Sequence, residues 1–361
     1  MGTHASRCKI VVLLCLVTFL SNQSNVECED EQGTQSESCD LFKGSWVLDD
    51  SYPLYYDALS CPFIDPGLNC QKNGRPDSMY LEYRWNPIGC ELPRFDGQNF
   101  LQKFRGQKIM FVGDSLSKNQ WQSLACMLHF AVPSSNYTLV GSGGGALLNL
   151  SFPEYGLSTA FLKNGFLVDL VVEGVGLVLK LDSLSRTQHW KGVDILIFNS
   201  YHWWIHTGRL QTWKYFQVGE NLIKDMDRME AYRIALTTWA KWVDSNIDPG
   251  KTKVFFQGIS AVHNHGSEWN EPAVQDCRGQ TKAIEGADYP GQHYPGEAVV
   301  KDVLGNMTKP VYLLDITLLT QLRKDGHPSN YANGALDCSH WCLAGVPDTW
   351  NELLYAMLLE S

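Results

Sequence analysis

From residue 108 onward the chain alternates short apolar runs with longer amphipathic or polar stretches. The runs KIMFV (108–112), VDILIFN (193–199), KVFFQ (253–257) and VYLLD (311–315) are rich in β-branched and aromatic residues. Each is short and nearly continuous in its apolar character, which predicts a strand buried on both faces. Helices are predicted between and after them: 119–129, with Leu124, Met127 and Leu128 on one face; 222–245, with Ile234, Leu236, Trp239, Trp242 and Val243 apolar; and 347–359. Strands alternating with helices predict an α/β domain built on a doubly wound, mainly parallel sheet. Ligands of such sheets bind beyond the C-terminal ends of the strands. Ser115, Asn199 and the 258–265 loop each follow a predicted strand, so they are expected at one site.

The rest of the chain is less regular. Residues 139–173 have no clean period, and 159–172 is predicted to form a hairpin edging the sheet. The glycine run at 141–145 has no Gly-Lys-[Ser/Thr] after it, so it reads as a flexible loop and not a phosphate cradle. Residues 39–97 carry four cysteines and many turn pairs, the composition of a loop-rich subdomain, 39–97, joined to a main domain, 98–361. Residues 28–38 are polar and acidic, which predicts a disordered linker. At the N-terminus Arg7 and Lys9 precede an apolar segment, 10–20. That segment is too short to span a bilayer comfortably but suits a signal-peptide core, with a short signal anchor as the alternative for 1–27.

Composition narrows the function. The net charge of −10, from 29 basic and 39 acidic residues, argues against nucleic acid as a partner. The chain has 12 tryptophans; most should be core, but the excess suits a cleft that stacks aromatic faces on sugar rings. Of the 11 cysteines, Cys8 and Cys15 fall in the targeting segment and Cys28 just after it. The remaining eight, with no pair of Cys-x-x-Cys elements to bind zinc, read as four disulfides in an oxidising compartment. Sequons at Asn136, Asn149 and Asn306, besides Asn22, are expected on surface loops of a secretory-pathway protein.

The chemistry concentrates in two motifs. Gly113-Asp114-Ser115 closes the first apolar run, and Asp337-Cys338-Ser339-His340 lies near the C-terminus. A serine hydroxyl becomes a nucleophile when a base takes its proton, and the base needs a group to orient it. Ser115, His340 and Asp337 supply those roles. The plain alternative for Ser115 is a helix N-cap. Asp114 is expected to tie the turn, and Gly113 to permit it. His202, Trp203, Trp204 and His206 read as a substrate wall, His263 and His265 as a cleft-lining loop, and His327 as structural; no metal is expected.

Longer stretches carry a resemblance. GDSLSKNQWQSLACML (113–128), DCSHWCLAGVPDTWNELL (337–354), CDLFKGSWVLDD, SCPFIDPGLNCQKNGRPD, YLEYRWNPIGCELPRFD, FNSYHWW and DGHPS resemble the plant trichome birefringence-like family, from about residue 39 to the end. Its catalytic part belongs to the PC-esterase group of the GDSL/SGNH hydrolase fold. The resemblance implies the triad Ser115, His340 and Asp337. It also implies an oxyanion hole made by the Ser115 N–H together with a glycine and an asparagine from later strands, Asn199 being the fitting asparagine. It implies the pairs Cys39–Cys90, Cys61–Cys126, Cys70–Cys342 and Cys277–Cys338. Lys118 departs from the arginine of many relatives, keeping charge without a planar fork; Leu343-Ala344-Gly345 departs from Leu-Pro-Gly.

The function so implied is O-acetylation of a cell-wall polysaccharide through an acetyl-serine, with no bound cofactor and an acetyl donor as co-substrate. The stretches Ser117-Lys118-Asn119-Gln120-Trp121 and Asn264-His265-Gly266-Ser267-Glu268 resemble branches of the family linked to pectin more than to xylan, which implies homogalacturonan before xylan. An acetylesterase using the same triad is the alternative, and a non-catalytic pectin-bridging protein the third reading. The expected setting is the Golgi lumen or membrane, or the wall after secretion, for a monomer with or without an N-terminal membrane anchor.

Overall fold

The computed structural model describes residues 39–360; the targeting segment, the linker, Cys8, Cys15, Cys28 and Asn22 lie outside the described residues. The described chain begins with a hairpin, β1 (Asp40–Leu48) and β2 (Tyr83–Ile88), in register at Trp46 and Trp85, whose rings meet edge to face at 5.5 Å. α1 (Gly97–Lys103) leads to β3 (Lys108–Gly113) and α2 (Ser115–Ala131). A meander follows: β4 (Thr138–Ser142), β5 (Leu147–Phe152) and β6 (Leu157–Lys163). After β7 (Asp169–Glu173) and β8 (Gly176–Lys180) come β9 (Ile195–Phe198), β10 (Tyr215–Val218), β11 (Asn221–Ile223) and α3 (Arg228–Asn246). The C-terminal part holds β12 (Lys253–Gln257), α4 (Pro295–Gly305), β13 (Tyr312–Leu314), α5 (Thr317–Gln321), the hairpin β14 (Ser329–Ala332) and β15 (Ala335–Asp337), and α6 (Val346–Glu360).

The main sheet has seven strands in the order β13-β12-β9-β3-β6-β5-β4. It is mixed: neighbours from β13 to β6 run parallel, while β5 and β4 run antiparallel at one edge. The chain leaves β3 for β6 on one side and returns to β9 on the other. The strand order therefore reverses at β3, and the crevice beyond its C-terminal end is where such sheets place their ligands.

The apolar runs are continuous because both faces of these strands are covered. Ile109, Phe111, Ile195, Ile197 and Phe255 belong to one core cluster with Leu124 and Leu128 of α2 and Trp350 and Leu354 of α6. Val112, Leu196, Phe198, Val254 and Phe256 belong to another with Leu236 and Trp239 of α3 and Val300 of α4.

Several expectations are corrected. Residues 159–172 do not make an edge hairpin: Leu157–Lys163 is an interior strand beside β3, and Asp169–Glu173 joins a second sheet, β11-β10-β8-β7. The helix expected from 222 starts at Arg228, because Asn221–Ile223 pairs with β10 and Asp227 caps the helix by accepting from the Met229 and Glu230 N–H groups. The glycine run turns β4 into β5, with Gly144 and Gly145 at φ 64° and 88°. Helix α4 was not foreseen. Asn136 and Asn306 are exposed, but Asn149 lies on strand β5 and not on a loop, half-buried, its amide donating to Ser151 Oγ at 3.0 Å.

The N-terminal segment shares the first core cluster through Trp46, Tyr56, Phe63 and Trp85. Two buried carboxylates of α6 receive it. Asp348 accepts from Tyr56 Oη (2.8 Å), Ser123 Oγ (2.6 Å) and the Gly345 N–H (2.9 Å). Glu352 accepts from the hydroxyls of Tyr52 and Tyr55. Burial pushes the Asp348 carboxyl up to about 6, although its three donors favour the charged form. Replacing it by alanine takes the carboxylate acceptor from the buried Tyr56 and Ser123 hydroxyls and from the Gly345 N–H. Asp348→Ala should therefore lower stability by about 1–3 kcal/mol, read as a lower urea midpoint with an unchanged slope.

Candidate active site

Strand β3 ends at Gly113 because nothing larger fits. A Cβ there would stand 2.7 Å from the Asn199 carbonyl oxygen and 2.9 Å from Ser117 Cβ. The Asn164 N–H donates to the Gly113 carbonyl at 2.7 Å, tying the ends of β3 and β6 together. Asp114 is fully buried and caps α2, accepting from the Leu116 N–H at 2.9 Å. Ser115 is the first residue of α2 and is exposed. Its own N–H is thus among the free donors at the positive end of a 17-residue helix.

The side-chain amide of Asn199 faces Asp114. With nitrogen toward the carboxylate, it donates to Asp114 Oδ1 at 2.6 Å. One of its N–H groups is thereby committed to holding the turn and is not free for an oxyanion. Gly165, just beyond β6, was not singled out from sequence: a Cβ there would meet the Trp203 ring at 2.9 Å and Asp114 Cβ at 3.1 Å. Its tight fit beside Asp114 was not readable without recognising β6 as an interior strand.

The second motif is a turn built around one carboxylate. Asp337 Oδ1 accepts from the Ser339 N–H (2.9 Å), the His340 N–H (3.0 Å) and Ser339 Oγ (2.9 Å), while Oδ2 meets His340 Nδ1 at 2.7 Å. Burial would raise the Asp337 carboxyl, but the hydrogen bond and charge of His340 outweigh it and hold it well below the usual range. For His340 burial acts downward, yet the bond to Asp337 and the charges of Asp337, Asp114 and Asp65 raise its pKa above the ordinary histidine value. Four disulfides close: Cys39–Cys90, Cys61–Cys126, Cys70–Cys342 and Cys277–Cys338, the last two on either side of His340.

Asn119 brings the two motifs together. It lies one helical turn after Ser115; its Oδ1 accepts from the Trp341 N–H at 2.9 Å and its Nδ2 donates to the Trp341 carbonyl at 3.3 Å. The residue following His340 is thus clasped to the first turns of the helix that carries Ser115. Among the described residues no hydrogen bond joins Ser115 Oγ to His340; such bonds commonly tighten only in the substrate complex. Lys118 is occupied, its Nζ pairing with Asp65 at 2.6 Å.

The remaining histidines and tryptophans divide. Trp203 is half-buried beside Gly165, with Lys163 Nζ 5.3 Å from its ring centroid. Trp204 is fully buried and donates to Ser200 Oγ, so it is core and not a substrate wall. His202 points Nε2 at the Ser260 carbonyl at 2.8 Å. His263 is fully buried against His327 and does not line a cleft, whereas His265 is exposed. Among the described residues no group of three or more His, Cys, Asp or Glu is gathered to hold a metal, and no helix is long and apolar enough to cross a membrane.

Both parts of the chain are similar to known proteins. Residues 92–357 match the PC-esterase family, a GDSL/SGNH-like acyl-esterase family found in Pmr5 and Cas1p, and residues 37–91 match the PMR5 N-terminal domain. Protein trichome birefringence-like 42 of Arabidopsis thaliana is 54% identical over 358 residues, covering 97% of this chain and 98% of the relative. The chain belongs to the trichome birefringence-like family. Protein trichome birefringence-like 39 from the same plant is 50% identical, covering 96% of this chain and 95% of its own. Protein trichome birefringence itself is 39% identical over 93% of this chain and 59% of its own. Membership in this family implies acyl-ester chemistry, esterase or acetyltransferase.

Two outcomes follow from the turn. A base whose pKa is raised is protonated over a wider range, so kcat/KM should rise with pH through a value above about 6.5. Asp337→Asn should move that limb to lower pH, since burial then dominates, and cut the maximal rate by roughly 10⁴-fold through lost orientation; pH–rate profiles of both proteins check this. Reducing the bonds of Cys338 and Cys342 should cost activity before the sheet unfolds. Activity and circular dichroism followed through one titration with reductant test it, and full activity with both thiols free would remove the scaffold role.

Proposed function

We propose that the chain is a cell-wall polysaccharide O-acetyltransferase of the secretory pathway that works through an acetyl group on Ser115. The observation that carries the proposal is the His340–Asp337 pair clasped, through Asn119 and Trp341, to the helix that begins with the exposed Ser115. Ser115 Oγ attacks the donor's acetyl carbonyl as His340 Nε2 takes the hydroxyl proton. The oxyanion develops against the Ser115 N–H at the start of α2. Collapse breaks the donor's acyl bond, and His340 returns its proton to the leaving group. A sugar hydroxyl then attacks the acetyl-serine while His340 takes its proton; the O-acetyl sugar leaves and the proton returns to Ser115. Asp337 keeps Nδ1 protonated so that Nε2 is free to act. The donor is a co-substrate, with an acetyl thioester or an ester as its chemical class.

Homogalacturonan is the acceptor we favour, with xylan next. Lys163 is the register partner of Gly113, is exposed and forms no ion pair among the described residues. With the half-buried Trp203 it offers an aromatic platform and a cation beside the nucleophile, a match for a sugar ring bearing a carboxylate. Hydrolysis is the second reading, favoured by the exposure of Ser115, which lets water compete with a sugar hydroxyl.

Purified protein incubated with acetylated and de-acetylated pectin and xylan, with and without an activated acetyl donor, tests the proposal. Acetyl groups should appear on homogalacturonan only when donor is present. Release of acetate from acetylated pectin without transfer would select the esterase. Ser115→Ala should abolish both while retaining glycan binding; full activity in that variant would exclude the serine mechanism. Lys163→Glu should weaken binding of oligogalacturonide by roughly fivefold, about 1 kcal/mol, and leave xylo-oligosaccharide binding unchanged.

A further inference from the structure

Behind His340 stand two buried histidines that the mechanism does not use. His263, in the loop after β12, and His327, in the loop before β14, are 0% and 1% exposed. They form a line of short contacts: His263 Nε2 to the Gln321 carbonyl at 2.9 Å, His263 Nδ1 to His327 Nε2 at 2.7 Å, and His327 Nδ1 to the His340 carbonyl at 2.7 Å. Both ends of the line are main-chain carbonyls, which only accept. Three hydrogen bonds therefore require three ring protons, and two neutral imidazoles carry two. A neutral pair must leave at least one contact with lone pair facing lone pair, whichever tautomers it adopts. One added proton satisfies all three.

Which contact opens in the neutral pair follows from burial. The Gln321 end and the ring–ring contact lie among fully buried groups, where an unmade bond costs most. His340 is half-buried, the least buried of the groups in the line, so the bond to its carbonyl costs least to open. The neutral pair thus keeps His263 Nε2–H on Gln321 and His327 Nε2–H on His263, and turns a bare Nδ1 toward His340. All three contacts are within hydrogen-bond distance, and among the described residues no hydrogen bond joins His340 to Ser115.

We infer that His263 and His327 are positioning residues that latch the His340 turn with a single shared proton: the proton closes the bond to the His340 carbonyl and holds the base back, and its loss frees the base to reach Ser115. The inference rests on the reading of His340 as the base. The charges around the pair are mostly partnered. Asp325 favours a proton on His263 and Lys324 opposes it, but Asp325 pairs with Arg323 and Lys324 with Glu271. Asp337 favours a proton on His327, while His340 opposes it. Arg75, paired with Asp77, donates to the His327 carbonyl at 3.1 Å. Burial acts against the extra proton at both rings, pulling His263 down to about 4, so the latch closes on the acid side.

The two single substitutions have opposite consequences. His263→Leu leaves a lone His327 that meets the His340 carbonyl with a neutral Nδ1–H, a latch closed at every pH. His327→Leu removes the latch. Ring ¹⁵N resonances of histidine-labelled protein, followed from neutral to acidic pH, read the device without any assay of activity. In the parent, both rings should shift in one step on acidification, and the His340 ring should shift with them. His263→Leu should abolish the step, with His327 protonated on Nδ1 throughout; in His327→Leu, His263 should titrate without moving His340. In kinetics, His263→Leu should lower kcat by up to roughly 10²-fold with KM unchanged, the effect of a misplaced base, and His327→Leu should not. A parent His327 that keeps its proton on Nδ1 at neutral pH, or a His340 ring indifferent to the step, overturns the inference. Loss of the esterase or transferase reading would show in the Ser115→Ala comparison and leave these resonances as they are.

Discussion

The Asp337 carboxylate holds four donors at once, all of them from the turn it starts. Ser339 and His340 give their main-chain N–H groups and Ser339 its hydroxyl to one oxygen, while the other oxygen meets His340 Nδ1. A base carried on an irregular turn has no helix or sheet ladder to fix it. Here the group that orients the imidazole also folds the turn, so orientation of the ring and shape of the backbone are one interaction. The surroundings reinforce it: disulfides at Cys338 and Cys342, the Asn119 clasp on Trp341, and the His263 N–H donated to the Cys338 carbonyl at 3.0 Å.

The N-terminal segment and α6 together explain why α2 carries so few solvent-facing residues. Asn119, Gln120, Gln122 and Ser123 are all buried, which is unusual for a helix expected to show one apolar face. Partners for three of these side chains come from elsewhere in the chain: Asn119 clasps Trp341, Gln122 donates to the Phe63 carbonyl at 2.6 Å and Ser123 to Asp348, while the Gln120 side-chain amide has no hydrogen-bond partner among the described residues. Cys61–Cys126 and Cys70–Cys342 add covalent ties from this segment to α2 and to the turn bearing His340. The helix that presents Ser115 is thus held from both sides, a requirement for a preorganised nucleophile.

Much of this was legible because the signals were local. Continuous apolar runs marked β3, β9 and β12, interior strands covered on both faces, and also the edge strand β13, whose Tyr312 is exposed; the position of Ser115 just past β3 followed directly. What escaped depended on distant partners. The strand Leu157–Lys163 lies in a stretch without a clean period, and only its pairing with β3 makes it central; with it went Gly165. The second sheet is assembled from hairpins on either side of β9, a non-local arrangement without a period to read. His263 and His327 lie 64 residues apart and meet only in three dimensions. The polar stretch before Arg228 looked helical by continuity, but Asp227 is a capping residue that starts the helix there.

The central claim is that Ser115 carries the acetyl group between donor and acceptor. Rapid quenching of the protein after mixing with an activated acetyl ester, followed by mass spectrometry of its peptides, addresses it most directly. The account predicts one acetyl group on the peptide containing Ser115, which builds up before product and disappears when acceptor is added. Turnover with no acetyl on that serine at any time, or with the acetyl on another residue, would contradict it.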